Sequence, residues 1–229
     1  MKNHMKRIAA PKSWFIDRSA HMYAVRPNPG AHTLEMGLAL GTILRDVLHL
    51  AVTMGEIRKL LIAKEVLVDG VRRKDHQFMV GLFDVITVVD HKKHYRVILD
   101  DKGRLHIAEI PAAESAIKVS KVVGKTMLRG KKIQYHLFDG KNVTSDITIS
   151  VGDSVLVALP SLQIKKVFPL KEGAHIFLTK GKHSGEVGQL KSLKGSQAVY
   201  QREKEEVETL REYVYVVGEK TAEMTIHAK

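Results

Sequence analysis

Between Thr53 and Gly70 the apolar positions change their period. Ile57, Leu60 and Leu61 recur at helical spacing, while Arg58, Lys59 and Lys64 lie off that stripe. Thr53 and Glu56 hold the S/T-x-x-E spacing of a capping box, in which each side chain satisfies an amide at the helix start. Val66 and Val68 then alternate at strand spacing, and Asp69-Gly70 is a two-residue hairpin turn. Three cations follow at once: Arg72, Arg73 and Lys74. The pattern predicts a short helix running into a hairpin, with one face buried and the other cationic.

The same reading extends along the chain. Upstream, Ile43, Val47 and Leu50-Ala51 make a second helical stripe, interrupted by Arg45 and Asp46. Downstream, Gly81 to Val89 is a β-branched strand, and Asp84 is placed to close its entering turn. Residues 42–90 thus form one small α/β domain. Residues 91–170 carry short strands at Tyr95–Leu99, Leu105–Ile107 and Ile133–Leu137, with Asp101-Lys102-Gly103 and Asp139-Gly140 as turns; this predicts a small barrel or compact sheet. Pro111 to Lys118 is a loop or short helix. In residues 171–229, Ala174, Ile176 and Leu178 alternate into a strand. Gly181 to Gly185 form a tight basic loop, Gly188 and Leu190 begin the return, and Tyr213–Val217 closes the sheet. The acidic stretch Glu203 to Glu212 predicts a solvated face. The predicted class is α+β and rich in β.

Charge changes this picture. The 229 residues carry a net charge of +12, and 44% are hydrophobic. The hydrophobic share suits an ordinary globular core; the charge adds self-repulsion and suits a polyanionic partner. Cysteine is absent, which excludes disulfides and thiolate metal sites. No run of about 18 uncharged apolar residues marks a membrane span, and no apolar signal core follows the N-terminus. Residues 1–41 form a basic extension in which Lys2, Lys6, Arg7 and Lys12 precede the first acid, Asp17, and Arg18 and Arg26 follow it. Pro11, Pro27, Pro29 and Gly30 forbid a long helix there. The extension is either a disordered tail or an arm ordered by nucleic acid; Trp14 and Phe15 favour the arm. Gly124–Lys132 carries Lys125, Arg129, Lys131 and Lys132 on a predicted hairpin, either plainly solvated or facing RNA. It lacks the spacing of a phosphate-binding nucleotide loop.

Several of these motifs resemble known modules. Thr53, Glu56, Arg58, Leu60, Leu61, Val66, Val68, Asp69 and Gly70 match, without gaps, the core of the S4-type RNA-binding domain, and Asp84 before Ile86 matches its ending. Met54 replaces a frequent Arg of that domain, Ile57 an Ala and Lys64 a Gly. The run KEGAHIFLTKGKHSGEVGQL resembles a KOW motif, which implies an SH3-like β-barrel with Lys180, Lys182 and His183 at its RNA-facing loop. The wording KRIAAPKSWFID and RPNPGAH, with YHLFDGKN and ISVGDSVLVALP further on, resembles the archaeal and eukaryotic small-subunit ribosomal protein family S-four-e. After His32 the chain departs from that family, with LEMGLAL, which leaves the role of Glu35 and Met36 open. The resemblance implies an order of basic arm, S4-like α/β domain, central β domain and KOW-like barrel. It also implies a structural constituent of the small ribosomal subunit, in contact with ribosomal RNA and neighbouring ribosomal proteins. Basic patches would neutralise phosphates and release counterions, and RNA shape would set specificity.

Catalytic groups are not assembled anywhere along the sequence. There is no nucleophile elbow, H-E-x-x-H or dinucleotide glycine pattern. Asp17 sits in the basic arm, outside any catalytic domain. Asp90, His91 and His94 offer too few aligned ligands for a metal. No cofactor or small-molecule substrate is expected. The rival readings are a free-standing RNA chaperone or translation regulator and an RNA-modifying enzyme.

Overall fold

The computed structural model describes residues 4–130, 132–202, 205–219 and 221–226. Two compact units divide it: one built from the chain up to Ile98 together with Arg104–Ser115, the other from Leu99–Gly103 and the chain from Ala116 onward. Strands dominate and helices are few. Among the described residues no helix is long and apolar enough to cross a membrane.

In the first unit, strands β1 (Met5–Lys6) and β2 (Tyr23–Ala24) pair antiparallel. β3 (Gly37–Ala39) runs into the short helix α1 (Leu40–Thr42) and a π-helical turn at Ile43–Val47. The helical stripe predicted from Ile43 to Ala51 is therefore cut short. The Leu48 amide reaches back to the Ile43 carbonyl at 2.9 Å, and His49 takes a left-handed φ of 50°. Next comes α2 (Met54–Ala63), capped as the sequence predicts. Thr53 Oγ1 accepts from the Glu56 amide at 3.2 Å, and Glu56 accepts from the Thr53 and Val52 amides at 3.2 and 3.0 Å. Those amide bonds, Thr53's first, hold the Glu56 carboxyl below its ordinary range. Ile57 and Leu61 are buried while Arg58 and Lys59 are exposed, the amphipathic split the pattern requires.

β4 (Val66–Val68) and β5 (Val71–Arg72) form the predicted hairpin. Asp69 and Gly70 both have positive φ, 50° and 75°, which is what a type I′ turn demands of its central residues. Asp69 is more than a turn residue: its Oδ1 accepts from the Val85 amide at 2.9 Å and ties the hairpin to the next strand. After β6 (Met79–Gly81), which pairs with β3, Asp84 closes its turn by accepting from the Gly81 amide at 2.8 Å. The His32 ring stands 3.1 Å from the same carboxylate, so close over Gly81 that a Cβ there would overlap it. β7 (Val85–Val88), β8 (Lys93–Leu99) and β9 (Leu105–Ile110) complete a five-stranded sheet in the order β5-β4-β7-β8-β9. Two strands that the sequence reading assigns to the central domain thus extend the sheet of the α/β domain. Periodicity finds strands but is silent on their partners.

The segment after His32 also finds its place. Met36 is buried and its carbonyl accepts from the Leu82 amide, while the Glu35 carbonyl accepts from Ser13 Oγ at 2.5 Å. LEMGLAL is apolar because Met36, Leu38, Ala39 and Leu40 are core.

In the second unit, α3 (Ala112–Ser115) of the preceding unit gives way to the long strand β10 (Ile117–Met127). Its first half pairs with β13 (Ser154–Ala158) and its second with β11 (Ile133–Leu137). A bulge between Val122 and Gly124 makes this possible, bending the strand into a half-barrel. β12 (Asn142–Ser145) and β14 (Ile164–Phe168) flank the sheet. Val122, Tyr135, Leu137, Val143, Ile149, Val155 and Val157 fill it. The remaining strands, β15 (His175–Leu178), β16 (Val187–Lys194), β17 (Gln197–Arg202), β18 (Glu205–Leu210) and β19 (Val214–Gly218), form a second sheet in the order β18-β17-β16-β15-β19. Most of the acidic stretch is thus an edge strand, β18, with Glu205, Glu206 and Glu208 exposed.

Candidate nucleic-acid interface

In the first unit, α2 and the β4–β5 hairpin carry most of the predicted cations. Arg58, Lys59, Arg72 and Lys74 are exposed. Arg58 Nη2 lies 3.2 Å from His76 Nε2. Burial, and then the neighbouring guanidinium, push the His76 imidazole below its ordinary range, so the neutral ring accepts from Arg58 and orients it. Arg72 Nη2 donates to the Ile62 carbonyl at 3.1 Å, and Arg73 lies over the Phe78 ring at 4.2 Å. Lys64 pairs with Asp90 at 2.9 Å, both partly exposed. That pair, and the contact of His94 Nδ1 with Thr87 Oγ1 at 3.0 Å, engage two of the three residues weighed above as metal ligands.

The arm needs correction. Arg7 is only 1% exposed; its Nη2 donates to Asp46 at 2.8 Å and its Nε to the Asp17 carbonyl at 2.7 Å. Trp14 is 2% exposed and its indole N–H donates to the Leu34 carbonyl at 2.9 Å. Arg18 donates to the carbonyls of Ile8, Ala10 and Pro11. Arg7 and Trp14, predicted as RNA contacts, are instead buried and tie the arm to its own unit, while Arg18 is bonded to carbonyls within the arm. The two arginines read as surface charge in the sequence because their receivers, backbone carbonyls and the Asp46 carboxylate, are not visible there. Lys6, Lys12 and Arg26 remain exposed. Lys2 and Lys131 lie outside the described residues.

Phe15, unlike its neighbour Trp14, faces solvent. It is 50% exposed, with the Arg104 guanidinium 5.5 Å from its ring and the His106 ring edge-on at 5.8 Å. The sequence reading did not single out Arg104 or His106 beside this ring; His106 lies on β9 and Arg104 immediately before it.

In the second unit, the β10–β11 hairpin tip holds Lys125, Arg129 and Lys132, all exposed, beside Met127 at 74% and Leu128 at 40%. No carboxylate pairs with these three cations among the described residues. The Gly181–Gly185 loop behaves similarly. Gly181 and Gly185 take φ of 93° and 95°, reached readily only by glycine, and Lys180 and Lys182 project from the loop. His183 is turned the other way, with Nδ1 3.0 Å from Glu186. Glu186 also accepts from Arg202 at 2.7 Å and from the Tyr200 hydroxyl at 3.1 Å. Burial first, then this carboxylate, push the Tyr200 hydroxyl up to about 12. His183 thus helps brace the loop through Nδ1.

Three further cations work inside the fold: Arg96 against Glu114, Lys118 against Asp139, and Lys121. Lys121 Nζ donates to the carbonyls of Glu212 and Val214 at 2.8 and 2.7 Å, and burial pulls it down to about 8. Its unfolded value is near 10.5, so between these limits the unfolded chain holds more protons and stability rises with pH. We expect the native chain to gain roughly 2 kcal/mol between pH 8 and 10 relative to Lys121→Met. Urea titrations across that window measure it; parallel pH profiles for the two proteins would refute it.

A β-rich chain that presents unpaired cations on separate loops defines a polyanion-binding protein, and comparison with known proteins narrows the class to ribosomal proteins. The model described as Ribosomal family S4e matches residues 91–164, and the RS4NT domain model matches residues 1–35. Small ribosomal subunit protein eS4 of Archaeoglobus fulgidus is 38% identical over 229 residues, covering 97% of this chain and 96% of its own. The protein of the same name from Methanocella arvoryzae is 38% identical over 222 residues, covering 94% of each. The crystal structure of 30S ribosomal protein S4e from Thermoplasma acidophilum superposes with a TM-score of 0.70 at 27% identity, covering 80% of this chain and 95% of that one. The chain belongs to the ribosomal family S4e.

Proposed function

We propose that this protein is a structural constituent of the small ribosomal subunit, in the cytoplasm, that binds ribosomal RNA through several separate basic surfaces and contacts neighbouring ribosomal proteins. The observation that carries the reading is the sorting of its cations. Arg7, Arg18, Arg96, Lys118 and Lys121 are consumed within the fold, whereas those on α2, the β10–β11 tip and the Gly181–Gly185 loop are left to solvent. Charge that adds nothing to the fold and costs self-repulsion is retained for a partner. On this reading, α2 with the β4–β5 hairpin is an S4-type module, and β15–β19 is a KOW-type SH3-like barrel. Both present backbone and cations to phosphate rather than side chains to base edges.

Low-salt gradient fractionation tests the assignment: the protein should travel with small subunits, and separate migration would refute it. The basic surfaces are tested by salt titration of binding to small-subunit ribosomal RNA. Changing Lys125, Arg129 and Lys132 together to Ala should lower the slope of log K against log salt by about 2–3, near 0.7–0.9 for each lost phosphate contact. Arg58→Ala with Lys59→Ala should lower it by about 1–2. An unchanged slope for either variant would remove that surface from the interface.

A further inference from the structure

The second unit contains a cleft of about 730 Å³ that none of the basic loops above accounts for. Its size falls within the range of small-ligand pockets, roughly 300–1,000 Å³. The half-barrel supplies one wall and the second sheet of the same unit the other. From the half-barrel come Val123 and Val151, which are 55% and 44% exposed although large and apolar. From the opposite side come Tyr213, Lys180 and Arg211. We propose that this cleft receives a single unstacked RNA nucleotide, its base against Tyr213 and the two valines and its phosphate on Lys180 and Arg211. The proposal rests on the RNA-binding reading above and adds to it a site for a base.

Two features favour this occupant. The first is that the wall is built. Tyr213 ends a 3-10 turn (Arg211–Tyr213), and its carbonyl accepts from both the amide and the hydroxyl of Thr179, at 3.0 and 3.1 Å. The Arg211 amide donates to the Ser196 carbonyl at 2.9 Å. Lys121 holds the floor through its bonds to the Glu212 and Val214 carbonyls. The tyrosine ring lies against Gly181, where a Cβ would sit 3.4 and 3.5 Å from Cδ2 and Cε2. An aromatic ring held by its backbone while its side chain lines an open cleft is a stacking platform, and stacking tolerates any base.

The second feature is charge. Besides Lys121, which is bonded to backbone carbonyls, two cations (Lys180, Arg211) and one carboxylate (Glu212) line the cleft, which suits an anion at its rim beside an apolar interior. The Arg211 guanidinium lies over Gly152, its Nη2 3.6 Å from where a Cβ would stand, and so borders Val151. A nucleotide combines these two demands: a flat apolar face and a phosphate one sugar away.

The test uses the full chain with ¹³C-labelled valine methyls. Titration with AMP should shift the Val123 and Val151 methyls saturably, and ribose 5-phosphate, which lacks the base, should need a roughly ten- to a hundredfold higher concentration. Tyr213→Leu keeps the backbone bonds and should weaken AMP roughly ten- to a hundredfold. If that variant misfolds, Val123→Glu, at an exposed position on the mouth, should abolish the AMP shifts. A chain that keeps salt-dependent binding to ribosomal RNA but shows no AMP-dependent shift overturns the cleft and leaves the RNA-binding reading standing. A chain that fails to bind ribosomal RNA overturns that reading, and the RNA occupant with it. Saturable shifts with an aspartate-rich peptide in place of AMP would assign the cleft to a protein partner and also overturn the proposal.

Discussion

Trp14→Ala should destabilise the first unit by about 3–5 kcal/mol, the cost of emptying a large aromatic site in a packed core. The residue is 2% exposed although it lies in a segment whose composition resembles a tail. Its indole N–H is received by the Leu34 carbonyl, and its backbone bridges to Leu105 while the Leu105 amide donates to the Ser13 carbonyl at 2.6 Å. The substitution therefore removes apolar area, leaves the Leu34 carbonyl without its donor and loosens the arm from β9. Trp14→Phe, which retains the ring but not the N–H, should cost about 1–3 kcal/mol. Circular dichroism in urea is the appropriate probe, because Trp14 is the only tryptophan and its fluorescence is lost with it. A Trp14→Ala protein within 1 kcal/mol of the native chain would mean that the arm is docked weakly and is free to order on RNA. By the same argument, removing residues 1–30 should unfold the first unit rather than leave a stable protein that assembles poorly.

Local features were legible in the sequence wherever one residue decides its own geometry. The Thr53–Glu56 capping box, the Asp69-Gly70 turn and the Asp84 closure each depend on contacts within a few residues, and each appears with the predicted bonds. The alternation of Ile176 and Leu178 and the closing strand at Val214–Gly218 follow from period alone. What period does not carry is the partner. Period identifies β8 and β9 as strands but not as members of the β4–β7 sheet, since pairing depends on residues far away in the chain. The cations divide in the same way. Lys125 and Lys182 are exposed as expected, but nothing local distinguishes them from Arg7 or Lys118, whose receivers lie 39 and 21 residues away. The proposed cleft combines both difficulties: Val123, Lys180 and Tyr213 come from three stretches, and no spacing rule joins them.

The buried pair of Lys118 and Asp139 carries the second large expectation. The two side chains are 1% and 3% exposed and lie 2.9 Å apart. Asp139 also takes Ser120 Oγ at 3.4 Å and has Lys141 Nζ at 3.6 Å. Asp139→Ala removes a carboxylate to which a buried ammonium donates, and should cost about 2–3 kcal/mol in the second unit. The double variant Lys118→Met, Asp139→Leu should recover much of that loss, because a well-packed apolar pair avoids the desolvation that both charges suffer. A double-mutant cycle in urea separates the two effects: coupling of several kcal/mol is expected, and additive losses would show that the pair contributes nothing beyond its parts. The outcome bears on function through position. Asp139 occupies the turn that leads out of β11, and β11 leads back from the tip bearing Lys125, Arg129 and Lys132. If the pair serves stability alone, the double variant should regain RNA binding together with stability. If it regains stability alone, the buried charges hold the tip in a geometry that packing by itself does not specify.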